Sequence, residues 1–112
     1  MLIVTIAGIF AVEYCNGDVF AASCDSNEVI VIDTAWYGRM GLGKCVQRDF
    51  GSLGCRNDAL AYMDRECSGR SDCRVTISNR LQTEKACVDE LAGYAEVSYS
   101  CYKGQHVFKF VT

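Results

Sequence analysis

The chain has 112 residues, half of them hydrophobic, and its 14 acidic and 11 basic side chains give a net charge of −3. That length makes one domain with enough apolar material for a core. The charges are mixed along the sequence with no basic run or face for a phosphate backbone to dock on, which argues against a nucleic-acid partner.

The first 12 residues, MLIVTIAGIFAV, are apolar but too short for a membrane span, which needs about 20 residues. With no positively charged start, they read as an ordered N-terminal β-strand in preference to the tail of a secretion signal. A domain taken from a longer chain fits this start equally well. Asp18 to Ser23 and Glu28 to Asp33 are short apolar or β-branched runs separated by the turn-like Asp25-Ser26-Asn27, and both predict strands. Next comes Ala35-Trp36-Tyr37-Gly38-Arg39. A glycine between an aromatic and an arginine at a strand end predicts a sharp turn that offers the phenol and the guanidinium at a loop. Asn57 is placed as a helix N-cap with Asp58 at the positive end of the dipole, and Leu60, Met63 and Cys67 recur on one face until Gly69. Val75 and Ile77 flank Thr76 in another short strand, and 81–91 reads as a second short helix ending before Gly93. Ala95, Val97, Tyr99 and Cys101 then alternate with Glu96, Ser98 and Ser100, the period of a strand with one buried side. His106 to Val111 is a last candidate strand, a partner for the N-terminal one. The sum is a single α+β domain over 1–112: antiparallel, β-rich, about five strands plus one or two short helices.

The eight cysteines, Cys15, Cys24, Cys45, Cys55, Cys67, Cys73, Cys87 and Cys101, decide the chemical setting. A structural zinc ion collects four ligands at about 2.3 Å, usually from C-x2-4-C knuckles. The tightest pair here, Cys67 and Cys73, has five residues between its members, and the single histidine is His106. Spacing and ligand supply therefore argue against a metal. An even number of spread cysteines in a short chain predicts four disulfides and an extracellular location, secreted or on an ectodomain. Catalytic chemistry has no foothold. His106 sits in a strand-like run without a nucleophile in view, and no phosphate loop, dinucleotide fingerprint or EF-hand sequence occurs. The acidic pairs Asp64/Glu66 and Asp89/Glu90 read as solvated helix faces. A binding module without a cofactor is the better reading.

Motif order adds a family. Cys15-Asn16-Gly17 precedes Cys24 by the pattern C-N-G-x(6)-C, and Ala35-Trp36-Tyr37-Gly38-Arg39 is followed by Cys45 eight positions after the tyrosine. Cys67-Ser68-Gly69-Arg70-Ser71-Asp72-Cys73 leads to Val75, Ser78 and Asn79 in the pattern C-x-V-x-x-S-N, and Val97, Tyr99 and Cys101 close with V-x-Y-x-C. From Cys15 to Cys101 this resembles the galactose/rhamnose-binding lectins of the sea-urchin-egg-lectin type, leaving 1–14 and 102–112 as flanks that read as extra strands. Cysteine spacing leaves the disulfide pairing open among many connectivities. The resemblance implies Cys15–Cys45, Cys24–Cys101, Cys55–Cys87 and Cys67–Cys73.

The resemblance also implies a calcium-independent sugar site. Tyr37 and Asn79 match the family's ligand residues, and Arg39 completes the Y-G-R element. Asn16 stands where the family has an acid. The family's D-P-C motif has become Lys85-Ala86-Cys87, where Glu84 takes the aspartate's place when counted from Asn79. The K-Y-L motif reads Gly93-Tyr94-Ala95, with no lysine in that stretch. The implied partners are cell-surface or secreted glycans, with no membrane insertion of this domain. The alternative is an adhesion or receptor module of the same fold that binds an extracellular protein.

Overall fold

In the computed structural model, residues 12–47, 54–82 and 93–103 are described. They form β1 (Val12–Cys15), β2 (Val19–Ser23), β3 (Glu28–Arg39), β4 (Cys55–Asp58), α1 (Leu60–Cys67), β5 (Asp72–Thr76), a 3-10 turn (Asn79–Leu81) and β6 (Tyr94–Lys103). The strands make a four-stranded sheet in the order β1-β6-β3-β4 and a two-stranded β2-β5 ribbon. Every pairing is antiparallel. The α+β, β-rich reading holds, with six strands among the described residues instead of about five. The proposed terminal strands at 1–12 (apart from Val12, which opens β1) and 106–111, and most of the helix at 81–91, lie outside the described residues. So does the pair Asp89/Glu90.

The core lies between the four-stranded sheet on one side and the ribbon with α1 on the other. Phe20, Ala22, Val75 and Ile77 come from the ribbon side, Met63 and Cys67 from α1, and Ile30, Ile32, Ala35, Tyr37, Ala95 and Val97 from the sheet. Phe20 packs edge-on between Tyr14 (5.1 Å) and Tyr99 (5.9 Å), a favoured arrangement of ring quadrupoles. Val97 is buried as alternation requires. Ser98 on the opposite side is buried too, because its hydroxyl bonds that of Thr34 at 2.6 Å.

Two local readings are corrected. Asn57 does not cap a helix: Cys55–Asp58 is a strand paired with β3, placing Asn57 opposite Tyr37. Ala59 occupies the cap position without a side-chain bond, and Asp58 satisfies the first turn by accepting from Leu60 N at 2.8 Å. The Tyr37-Gly38-Arg39 segment does not turn: β3 runs on through Arg39. Gly38 serves close approach instead, since a Cβ there would meet the Cys55 carbonyl and lie 2.7 Å from Arg56 Cα. Gly69 does end the helical segment, with φ of +89° and its N–H bonded to Ile30 O at 2.9 Å.

A β-bulge between Ile32 and Thr34 sets the direction of each β3 side chain. Before it, Ile30 and Ile32 face the core; after it, Ala35, Tyr37 and Arg39 are the buried residues. Asp33 is the extra residue, so the strand changes parity there. Ser68, just past α1, serves this irregular point: its Oγ accepts from Ile32 N at 3.1 Å and donates to the Asp64 carboxylate.

Three of the expected disulfides are present: Cys15–Cys45, Cys24–Cys101 and Cys67–Cys73. Cys55 is disulfide-bonded as well, and its expected partner, Cys87, lies outside the described residues. Among the described residues no helix is long and apolar enough to cross a membrane.

Candidate functional site

The β1–β2 turn carries Asn16. Asp18 builds that turn, donating its N–H to Cys15 O at 2.9 Å and accepting from Cys15 N at 2.8 Å through Oδ2. The adjacent Cys15–Cys45 bridge fastens the turn to the loop after β3. That loop is held in turn by Tyr94, whose hydroxyl accepts from Gly41 N at 3.0 Å. Asn16 is left exposed at the tip.

Tyr37 reaches Asn16 from inside. Its phenol donates to Asn16 Oδ1 at 2.7 Å, and the residue as a whole is only 3% exposed. Burial raises the Tyr37 pKa, against the opposing effects of the Asn16 bond and a backbone bond from Gly93. The phenol is therefore a neutral, oriented donor at physiological pH. Gly93 is pressed against it: a Cβ there would fall 2.9 Å from Tyr37 Cζ and 3.0 Å from its oxygen. The tyrosine ring tip thus fills the space that a side chain at position 93 would need.

Asn79 arrives by way of β5. Ile77 exchanges two backbone bonds with the Asn16 turn, Gly17 N to Ile77 O and Ile77 N to Asp18 O, both 2.9 Å. Two residues later Asn79 opens the 3-10 turn, which Ser78 caps by accepting from Arg80 N and which closes with Gln82 N to Asn79 O at 3.0 Å. Asn79 is exposed, and its side chain makes no hydrogen bond among the described residues. Asn57, across from Tyr37 on β4, donates through Nδ2 to Leu81 O at 3.2 Å.

Asn16, Tyr37 and the turn bearing Asn79 thus meet at one end of the domain. Arg39 is correctly placed in sequence but buried at 4% exposure, with Gly54 N bonded to its carbonyl. It is not presented at a loop. Glu84 lies outside the described residues. Sequence reading missed two contributors. In sequence, Gly93 reads as a helix stop and as the first residue of Gly93-Tyr94-Ala95, and Asn57 reads as a cap. Neither carries a local signal, since both act across the fold.

Trp36 points to the opposite sheet face. Arg56 stacks over its ring at 3.9 Å, and its free edge lines a shallow cleft with Asp33, Thr34, Ala35, Asp58 and Leu60. The described acidic and sulfur groups gather around one point, Cys24, Glu28 and Cys101. Two of these three are joined in a disulfide, so they offer no thiolate to a cation.

Comparison with curated proteins gave no match. The model of the D-galactoside/L-rhamnose binding SUEL lectin domain matches residues 22–101. The match takes in Tyr37, Arg39, Asn79 and Glu84, while Asn16 precedes it. Covering well over half of the chain, and coming with the bridge pattern and β-rich architecture seen above, it places this chain in the carbohydrate-binding SUEL lectin family.

Proposed function

We propose that this domain binds a galactose- or rhamnose-like saccharide, without calcium and without catalysis, where Asn16, Tyr37 and Asn79 converge. The observation that carries this reading is the 2.7 Å bond from the Tyr37 phenol to Asn16 Oδ1, with the turn bearing the exposed Asn79 tied to the Asn16 turn through Ile77. That bond fixes the Asn16 side chain with its Nδ2 outward. An amide pairs a donor and an acceptor at fixed separation, which suits the alternating demands of neighbouring sugar hydroxyls. Glu84 is assigned the carboxylate contact, and Arg39 supports the Tyr37 strand from within. The oxidised cysteines support an extracellular setting, with cell-surface or secreted glycans as partners. The exposed large apolar side chains among the described residues are Val12, Val19, Leu42 and Tyr102, and no observation ties them to a protein partner.

Titration of the labelled protein with L-rhamnose and D-galactose, with and without a calcium chelator, tests this directly. Amide and side-chain signals of Asn16, Gly17 and Asn79 shift with a dissociation constant of about 1 mM, near −4 kcal/mol, and the chelator changes nothing. Absence of any shift at tens of millimolar sugar removes the reading.

A further inference from the structure

Asn57 is 7% exposed and is one of three buried polar side chains among the described residues, with Arg39 and Ser98. Its Nδ2 reaches Leu81 O, while its Oδ1 has no hydrogen-bond partner among the described residues. Reversing the amide does not help, because Oδ1 would then face the Leu81 carbonyl. A leucine of similar volume would remove the orphaned acceptor but leave the buried Leu81 carbonyl without its donor. The position thus accommodates an orphaned acceptor, a destabilising feature, together with one donor. That donor holds the last residue of the turn that Asn79 begins. On the other side of the turn, Ile77 is bound to Gly17 and Asp18. Asn79 is therefore suspended between two tethers. One leads to the turn bearing Asn16, the other to the residue paired with Tyr37.

Building on the saccharide reading above, we propose that Asn57 is a positioning residue of the sugar site, holding the Asn79 turn in register with Tyr37. Its contribution is to ligand geometry and not to the stability of the fold.

The test compares wild type with Asn57→Leu, which keeps volume and removes both the donor and the orphaned acceptor. Three quantities are measured: melting temperature, amide shifts of residues 78–82 in free protein, and L-rhamnose affinity by NMR titration. The expected result is a melting temperature close to that of wild type, because one unsatisfied acceptor replaces another, with displaced amide signals at Asn79, Arg80 and Gln82 and affinity lower by about tenfold. Wild-type affinity with unmoved amides overturns the proposal. So does a loss of affinity that merely follows a loss of melting temperature. Should Asn57→Leu not fold, exchange of the Asn57 side-chain NH2 protons in wild type decides: protection supports the tether, and rapid exchange overturns it. If wild type shows no sugar-dependent shift, the saccharide reading falls, while the free-protein amide shifts still report whether Asn57 holds the turn.

Discussion

Asn16 accepts the Tyr37 hydroxyl with a neutral amide oxygen, at a position where related lectins carry an acid. This has a consequence for pH. The Tyr37 phenol is pushed above its ordinary pKa by burial, and an amide does not titrate, so neither group changes state between pH 6 and 9. Sugar affinity of the wild-type protein is expected to be flat across that interval. Asn16→Asp changes this. A carboxylate accepts both the phenol and sugar hydroxyls in charge-assisted bonds, roughly twice as strong as neutral ones. Affinity at pH 7 rises by about fivefold, close to 1 kcal/mol, and the gain disappears as the pH falls through the carboxylate range near 4. Calorimetric titration of both proteins at pH 4, 6 and 8 checks it, and an identical profile for the two argues that position 16 does not touch the ligand. Tyr37 and Asn79 stand out in the sequence because each sits in a short motif with cysteines at fixed offsets. Gly93 was not legible as a contact. Its contribution is the space it leaves for a ring tip belonging to a strand more than fifty residues away.

At the scale of elements, the bulge at Asp33 governs which β3 side chains are buried. The run EVIVID was readable as a strand, but its alternation gave no sign of a parity change, so the continuation through Arg39 was read as a turn. Bulges take their definition from the neighbouring strand, here β6, which a single sequence does not display. The same limitation made Asn57 look like a cap: an Asn-Asp pair before an apolar helical face is the ordinary start signal, and only pairing with β3 reveals a strand. Ser68 supports the bulge by accepting from Ile32 N while bonding Asp64 at the end of α1. Ser68→Ala removes an acceptor from a backbone N–H at an irregular, part-buried point. The expected cost is about 1–2 kcal/mol, seen as a melting temperature lower by about 5 °C. A change within about 0.3 kcal/mol would mean that water replaces the hydroxyl.

Across the whole molecule, the disulfides differ in how much of the chain they restrain. Cys24–Cys101 joins β2's end to β6 over a sequence separation of 77, whereas Cys67–Cys73 closes a separation of 6. On the chain-entropy model the first stabilises by about 4.5 kcal/mol and the second by about 2.3 kcal/mol. Replacing both members of the long pair by alanine is therefore expected to lower stability in urea denaturation by about twice as much as replacing the short pair. Equal losses would indicate that the α1–β5 connection depends on its bridge for local geometry as well as for entropy. The presence and even spread of the cysteines were legible from the sequence. Their partners were not, and came from motif order, because pairing depends on which strands lie side by side.

The reciprocal bonds between Ile77 and the Gly17-Asp18 backbone stitch the ribbon to the turn leaving β1. Tyr37 belongs to the large sheet and Asn79 lies just past the ribbon, so a sugar spanning them would act as a clasp across the seam. Occupancy would then be reported at the seam itself, as slowed solvent deuteration of the Gly17 and Ile77 amides.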